Sequence, residues 1–324
     1  MAIYYYCCYT ISLLSISIFA GSIHALAAAR PVAIVTGGTR GIGSGISTAL
    51  AEAGYDLLLT YNTNKEAAEA FASGLKSSDT NNIKIICVGG DISLPETRDK
   101  IFACLDSAFG SDVDGQQQQP LKALIHNAGQ YVGITSENSD GLTSSVQGQA
   151  FGDGSMLNED GSTNFDSMHY YQRMYGEAFV DLCERGLVRM AKHGTGGSIV
   201  GTSSPGVTAA LYGPSAGYSM PGAGKCLMEY SMRIYAVQAA KHNINVNVVV
   251  PGLVKTEAWK KLAQSRGMPD ETVLMNKALE TGAPIKSLLE PRDIGNLVAF
   301  LCSRGARFIT GTVIPCDGGL HLKR

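Results

Sequence analysis

A chain of 324 residues, 45% hydrophobic and 17% charged, has enough apolar material to bury one large core, and its length does not require a second domain. A formal net charge of −2 excludes a broad basic field for nucleic acid, and no block of like charge marks a solvating tail. Small-molecule chemistry is the class that remains.

In chain order, the first feature is a leader. Residues 1–29 hold no Lys, Arg, Asp or Glu, and the apolar run from Thr10 to Ala29 contains the small-residue pattern Ala25-Leu26-Ala27. That pattern fits a cleavable signal peptide. The missing positive segment, together with Tyr4, Tyr5, Tyr6 and Tyr9, fits an uncleaved membrane anchor. Both readings make 1–29 a targeting segment for the secretory pathway, the endoplasmic reticulum or an organelle such as a plastid, and 30–324 a single domain. Of eight cysteines, Cys7 and Cys8 lie in the leader and the other six are scattered singly, with no disulfide framework and no zinc spacing. No Asn-x-Ser/Thr acceptor occurs, so a compartment that tolerates free thiols is expected.

Beyond the leader, short β-rich runs alternate with longer helical stretches, which predicts βαβ units around a parallel sheet. The expected strands are Val32–Val35, Asp56–Tyr61, Ile83–Val88, Ala123–His126, Ser198–Thr202, Asn245–Val250 and Thr312–Pro315. The fold class is therefore α/β, a three-layer, doubly wound Rossmann fold with seven parallel strands. Two stretches, Gly110–Pro120 and Gln130–Asn164, interrupt the rhythm and read as surface insertions, the second at a strand end where a lid is an alternative.

The turn Thr36-Gly37-Gly38-Thr39-Arg40-Gly41-Ile42-Gly43 follows the first strand and opens a helix expected over Ile42–Ala53. Gly37 permits a tight turn, Gly41 admits phosphates to the backbone, and Gly43 lets the helix pack closely with its N-terminal amides facing a pyrophosphate. At the tip of the second strand, Thr60-Tyr61-Asn62 offers no carboxylate for a ribose hydroxyl, whereas Arg40 is placed to pair with a phosphate. NADP(H) is the expected cofactor.

Thr36, Gly37, Gly41 and Gly43 match the pattern Thr-Gly-x-x-x-Gly-x-Gly, and the chain resembles the short-chain dehydrogenase/reductase family over residues 31–320. In that resemblance Asp91-Ile92 contacts adenine, Asn127-Ala128-Gly129 follows the fourth strand, and the segment from Pro251 and Gly252 through Leu253, Val254 and Lys255 to Thr256 holds nicotinamide. The stretches Glu290–Ile294, Ile309–Gly311 and Asp317–Gly319 resemble the family's last helix and strand.

Carbonyl reduction needs a proton donor at the developing alkoxide, and a tyrosine serves when a cation lowers its pKa. The resemblance assigns Ser204 to the substrate oxygen, with Ser203 its rival, Tyr218 to acid–base work, and Lys225 to the nicotinamide ribose and the tyrosine pKa. The spacing from Tyr218 to Lys225 is Tyr-x6-Lys, however, not the family's usual Tyr-x3-Lys. Pro221 belongs in the first turn of the following helix, with Gly222 and Gly224 leaving room for Tyr218 to loop back or for cofactor approach. Enoyl-acyl-carrier-protein reductases share this spacing, and Gly222, Lys225, Glu229 and Arg233 are similar to their helix. The family's helix asparagine would fall at Arg173, which reads as a surface arginine.

Tyr212 reads as a loop aromatic and His126 as a strand-end histidine, while His126 and His169 fit no metal set and no metal is expected. Trp259 lines a pocket or fills the core. Three functions stay open: carbonyl reduction by NADPH, including 3-oxoacyl thioesters, enoyl-thioester reduction, and silent NADP(H) binding. The resemblance further implies a homodimer or tetramer through helices over Met168–Met190 and Ala223–Lys241.

Overall fold

Seven apolar segments pair into one parallel sheet in a computed structural model that describes residues 29–78, 82–110, 118–129, 160–163, 165–205, 207, 212, 219–265, 270–281 and 284–322. The strands are β1 (Val32–Thr36), β2 (Asp56–Tyr61), β3 (Ile85–Gly89), β4 (Leu121–His126), β5 (Gly197–Thr202), β6 (Ile244–Pro251) and β7 (Val313–Cys316), in spatial order β3-β2-β1-β4-β5-β6-β7. The order reverses between β1 and β4, which opens a crevice at their carboxyl ends. The leader and most of both expected insertions lie outside the described residues. No helix among the described residues is long and apolar enough to cross a membrane.

Both sheet faces are buried, as continuous Val/Ile/Leu strands require. One core joins the sheet to α3 (Pro95–Phe109), α4 (Phe165–Tyr171), α5 (Ala178–His193) and α6 (Ser219–Ala239) through Phe102, Tyr171, Phe179 and Met228. On the other face α1 (Gly41–Glu52), α2 (Lys65–Ser78) and α9 (Pro291–Leu301) pack through Ile46, Leu75 and Ile294. Helices α7 (Ala258–Ser265) and α8 (Glu271–Thr281) lie between β6 and α9 in the chain. α1 and α9 touch backbone to backbone: a Cβ on Gly45 would lie 2.1 Å from the Pro291 carbonyl, and one on Gly295 2.2 Å from that of Gly45.

Several boundaries differ from the sequence reading. β3 starts at Ile85 rather than Ile83, because the Asp56 carboxylate captures the Lys84 N–H at 2.8 Å and delays the ladder. β7 runs one residue later than expected. Gln119, read as part of a surface insertion, is tied inward by amide hydrogen bonds to Asp56 Oδ2 (2.6 Å) and the Arg30 carbonyl (3.3 Å). The expected helix over Met168–Met190 is not continuous: a π-helical turn at Gln172–Glu177 separates α4 from α5. Helix α6 starts at Ser219, four residues before the expected Ala223, with Pro221 in its first turn.

Candidate active site

The glycine turn forms the floor of the crevice. Gly37 (φ +62°) and Gly41 (φ +52°) adopt left-handed backbone, and a Cβ on Gly43 would fall 2.0 Å from the Gly37 carbonyl oxygen. Gly41 is open by contrast, since among the described residues its added Cβ would meet nothing nearer than the Thr256 methyl at 3.7 Å. The N-cap of α1, Arg40, is exposed and its side chain caps no amide, which leaves the helix terminus to an anion. Thr39 and Ile42 line this opening half-buried. The cradle fits the pyrophosphate of a dinucleotide.

Behind the cradle, β1 and β4 are knotted together by neutral groups. Thr36 Oγ1 accepts from the amides of Asn127 (3.0 Å) and Ala128 (2.9 Å), while the Asn127 side-chain amide donates to the carbonyls of Thr36 and Gly37. His126 Nε2 lies 3.1 Å from the Met174 carbonyl, which can only accept, so the network assigns the proton to Nε2 and leaves Nδ1 to accept from Thr36 Oγ1 at 3.2 Å. Burial, reinforced by the Lys225 charge, pushes the His126 pKa down to about 3, and the ring stays neutral. His126 is thus a fastener between β1, β4 and the π-helical turn.

At the tip of β2, Tyr61 packs its ring on Gly89, and Asn62 is exposed beside it. Asp91 receives the Ser93 amide (2.9 Å) and the Tyr170 hydroxyl (3.3 Å), and Arg98 holds the carbonyl of buried Ile92 at 2.8 Å. At the opposite end, Gly252 allows the backbone after β6 to press on Asp317, where a Cβ would lie 2.5 Å from Cα. Val254 is buried and bridges to Leu289, and Trp259 Nε1 donates to the Val254 carbonyl at 2.8 Å. Thr256 faces Gly41 across the opening.

The chemical end is built on Lys225, which is buried at the end of β5. Its ammonium donates to the Thr202 carbonyl at 2.8 Å and lies 4.3 Å from the centre of the Tyr175 ring. Burial lowers its pKa to about 7, against the opposing pull of Glu229. Ser203 donates to Glu229 Oε1 at 2.5 Å, with both side chains buried, whereas Ser204 is half-buried. The Thr202 hydroxyl is buried with no partner among the described residues. By strand alternation it shares the α9 side of the sheet with Ser198, whose hydroxyl donates to the Leu301 carbonyl.

Tyr218 and Gly129's neighbour Gln130 lie outside the described residues; Gly129 itself abuts the Tyr175 phenol, 3.1 Å from an added Cβ. Gly224 admits the Tyr171 carbonyl, 2.4 Å from an added Cβ, as Gly176 admits Leu227. These two glycines bring α6 against the π-helical turn. Tyr212 is a buried tether, donating to Asp317 Oδ2 at 2.6 Å, and burial followed by that carboxylate raises its pKa, unsuited to proton donation. Arg173 is exposed, and no metal-ligand cluster occurs among the described residues.

Sequence reasoning did not assign roles to Tyr175 or to the Ser203–Glu229 pair. The four-residue step from Lys225 to Glu229 is the one readable signal, since it puts both on one face of a helix. Tyr175 has no such signal, because its position depends on the π-helical turn.

Comparison with known proteins gives consistent matches. A family model described as "Enoyl-(Acyl carrier protein) reductase" matches residues 154–321, more than half of the chain. A short-chain type dehydrogenase/reductase of Picea abies is 28% identical over 291 residues, covering 89% of this chain and 91% of its own length. Versicolorin reductase 1 of Aspergillus parasiticus is likewise 28% identical, covering 89% and 95%. Among solved structures, L-sorbose reductase from Gluconobacter frateurii, complexed with NADPH and L-sorbose, superposes with a TM-score of 0.71 at 23% identity, covering 92% of this chain and 98% of that one.

Proposed function

Because the chain belongs to the short-chain dehydrogenase/reductase family, we propose that it is an NADP(H)-dependent oxidoreductase acting on the carbonyl or alcohol carbon of a small molecule, with 3-oxoacyl thioesters among its substrates. The observation that carries this reading is one crevice holding both an open glycine cradle at the N-terminus of α1 and a buried lysine at the end of β5. NADPH, when bound, supplies the hydride. Arg40 and the α1 amides receive its phosphates, Lys225 holds the nicotinamide ribose, Ser204 orients the substrate oxygen, and Tyr218 donates the proton. The relatives named as reductases and the NADPH complex of a protein with the same fold support this assignment.

The Tyr-x6-Lys spacing and the description of the matching family model favour a second reading, in which hydride adds to an enoyl thioester and Tyr218 stabilises an enolate. Stopped-flow NADPH oxidation with ketones, 3-oxoacyl thioesters and enoyl thioesters separates the two. Turnover of the carbonyl compounds is expected, reduced about a hundredfold or more in Lys225→Met. Turnover of enoyl thioesters alone selects the second reading, and cofactor binding without any hydride transfer removes both.

Leu227, Tyr230, Ile234 and Val237 expose an apolar stripe along α6, which supports homo-oligomer formation through that helix. Sedimentation equilibrium checks this, with a monomer counting against it.

A further inference from the structure

Glu229 is a carboxylate buried to 6% exposure, on the same face of α6 as Lys225 and one turn further on. The Ser203 hydroxyl donates to its Oε1 at 2.5 Å. Burying a carboxylate and an ammonium this close to a reaction centre costs each its hydration, so the arrangement calls for a function beyond packing.

We propose that Glu229 is the positioning residue of the reaction centre: through Ser203 it fixes the chain leaving β5, and through its charge it keeps Lys225 cationic. The proposal rests on the oxidoreductase reading above. It also settles the rivalry between the two serines. Ser203 spends its hydroxyl proton on Glu229, and its amide on the Val249 carbonyl at 2.8 Å, so Ser204 is the hydroxyl left for a substrate oxygen.

Among the described residues, the other groups facing Lys225 do not supply a negative charge. Tyr175, from the π-helical turn, presents the face of its ring, and His126, from β4, is neutral and itself loses proton affinity to the Lys225 charge. At the end of β5, Thr202 offers a carbonyl dipole and Ser203 points to Glu229. Tyr212 feels the Glu229 charge but is held by Asp317. Among the described residues Glu229 is the carboxylate that acts on Lys225. Burial lowers the lysine pKa, and the resulting value of about 7 already includes the upward pull of Glu229, so a cation at neutral pH depends on that opposing pull.

The test is a pH titration of the full chain labelled with 13Cε-lysine, with the Lys225 signal assigned by its loss in Lys225→Arg. In Glu229→Gln the Lys225 midpoint is expected to fall by about one pH unit. Glu229→Asp keeps the charge and is expected to restore part of that fall; it also serves if the glutamine variant folds poorly. NADPH fluorescence titrations across pH run in parallel, where affinity in Glu229→Gln should decline at a lower pH than in the unsubstituted protein. An unchanged Lys225 midpoint in both variants overturns the inference even if NADPH binds, in which case the proposed function stands. A shifted midpoint in a protein that does not bind NADPH upholds the role of Glu229 on Lys225 and removes the function.

Discussion

The two ends of the crevice are built from opposite materials. Around the glycine turn, Thr36, His126 and Asn127 saturate one another's hydrogen bonds without a formal charge, and the opening beyond them is lined by backbone. Around Lys225, an ammonium, a carboxylate and a phenol are buried together. A site that receives charge from a ligand is best made of fixed dipoles and empty volume, whereas a site that moves protons must hold titratable groups near their point of balance. The first end should therefore fail by shape and the second by pH.

The largest effect is expected from Gly43→Ala. Its Cβ collides with the Gly37 carbonyl and with Asn127, neither of which can yield without opening the turn. Thermal unfolding should show a loss of about 3 kcal/mol at every pH, with NADPH binding abolished. A mild loss would mean that the turn is more plastic than its contacts imply.

His126 sets the one pH signature of the neutral end. Its native pKa, about 3, lies below the ordinary 6.5, so between these values the unfolded chain binds a proton that the native protein does not. Stability should fall as pH drops from about 6.5 towards 3, by up to about 1.4 kcal/mol per pH unit from this group. Urea unfolding of His126→Gln should show a flatter acid limb, and an unchanged limb would place the titration elsewhere. A smaller effect, about 1 kcal/mol, is expected for Tyr212→Phe, which leaves Asp317 its bonds to the Gly319 and His321 amides. The same denaturant curves measure it.

The sheet was legible because seven apolar runs with β-branched residues leave little else to form, and the glycine turn because its φ angles and contacts admit almost no other residue. The cofactor end is local in sequence: Thr36 to Gly43 is one turn, and Asn127 to Gly129 one strand end. The Lys225 end is not. The place of Tyr175 follows from the π-helical turn, and that turn is stabilised by approaches of Gly176 to Leu227 and Gly224 to Tyr171, pairs about fifty residues apart. No periodicity in the segment Tyr170 to Glu177 announces an extra residue per turn. The choice between Ser203 and Ser204 was likewise hidden, since it turns on a carboxylate in another element.

The backbone contact between Gly45 and Gly295 bears on the order in which the protein is made. Helix α1, which presents the phosphate cradle, leaves the ribosome long before α9, against which it is seated. A nascent chain that stops short of Pro291 has the glycine turn but not the surface that holds its helix in place. Competence to capture a dinucleotide is therefore acquired late in synthesis, when the two ends of the domain close on each other.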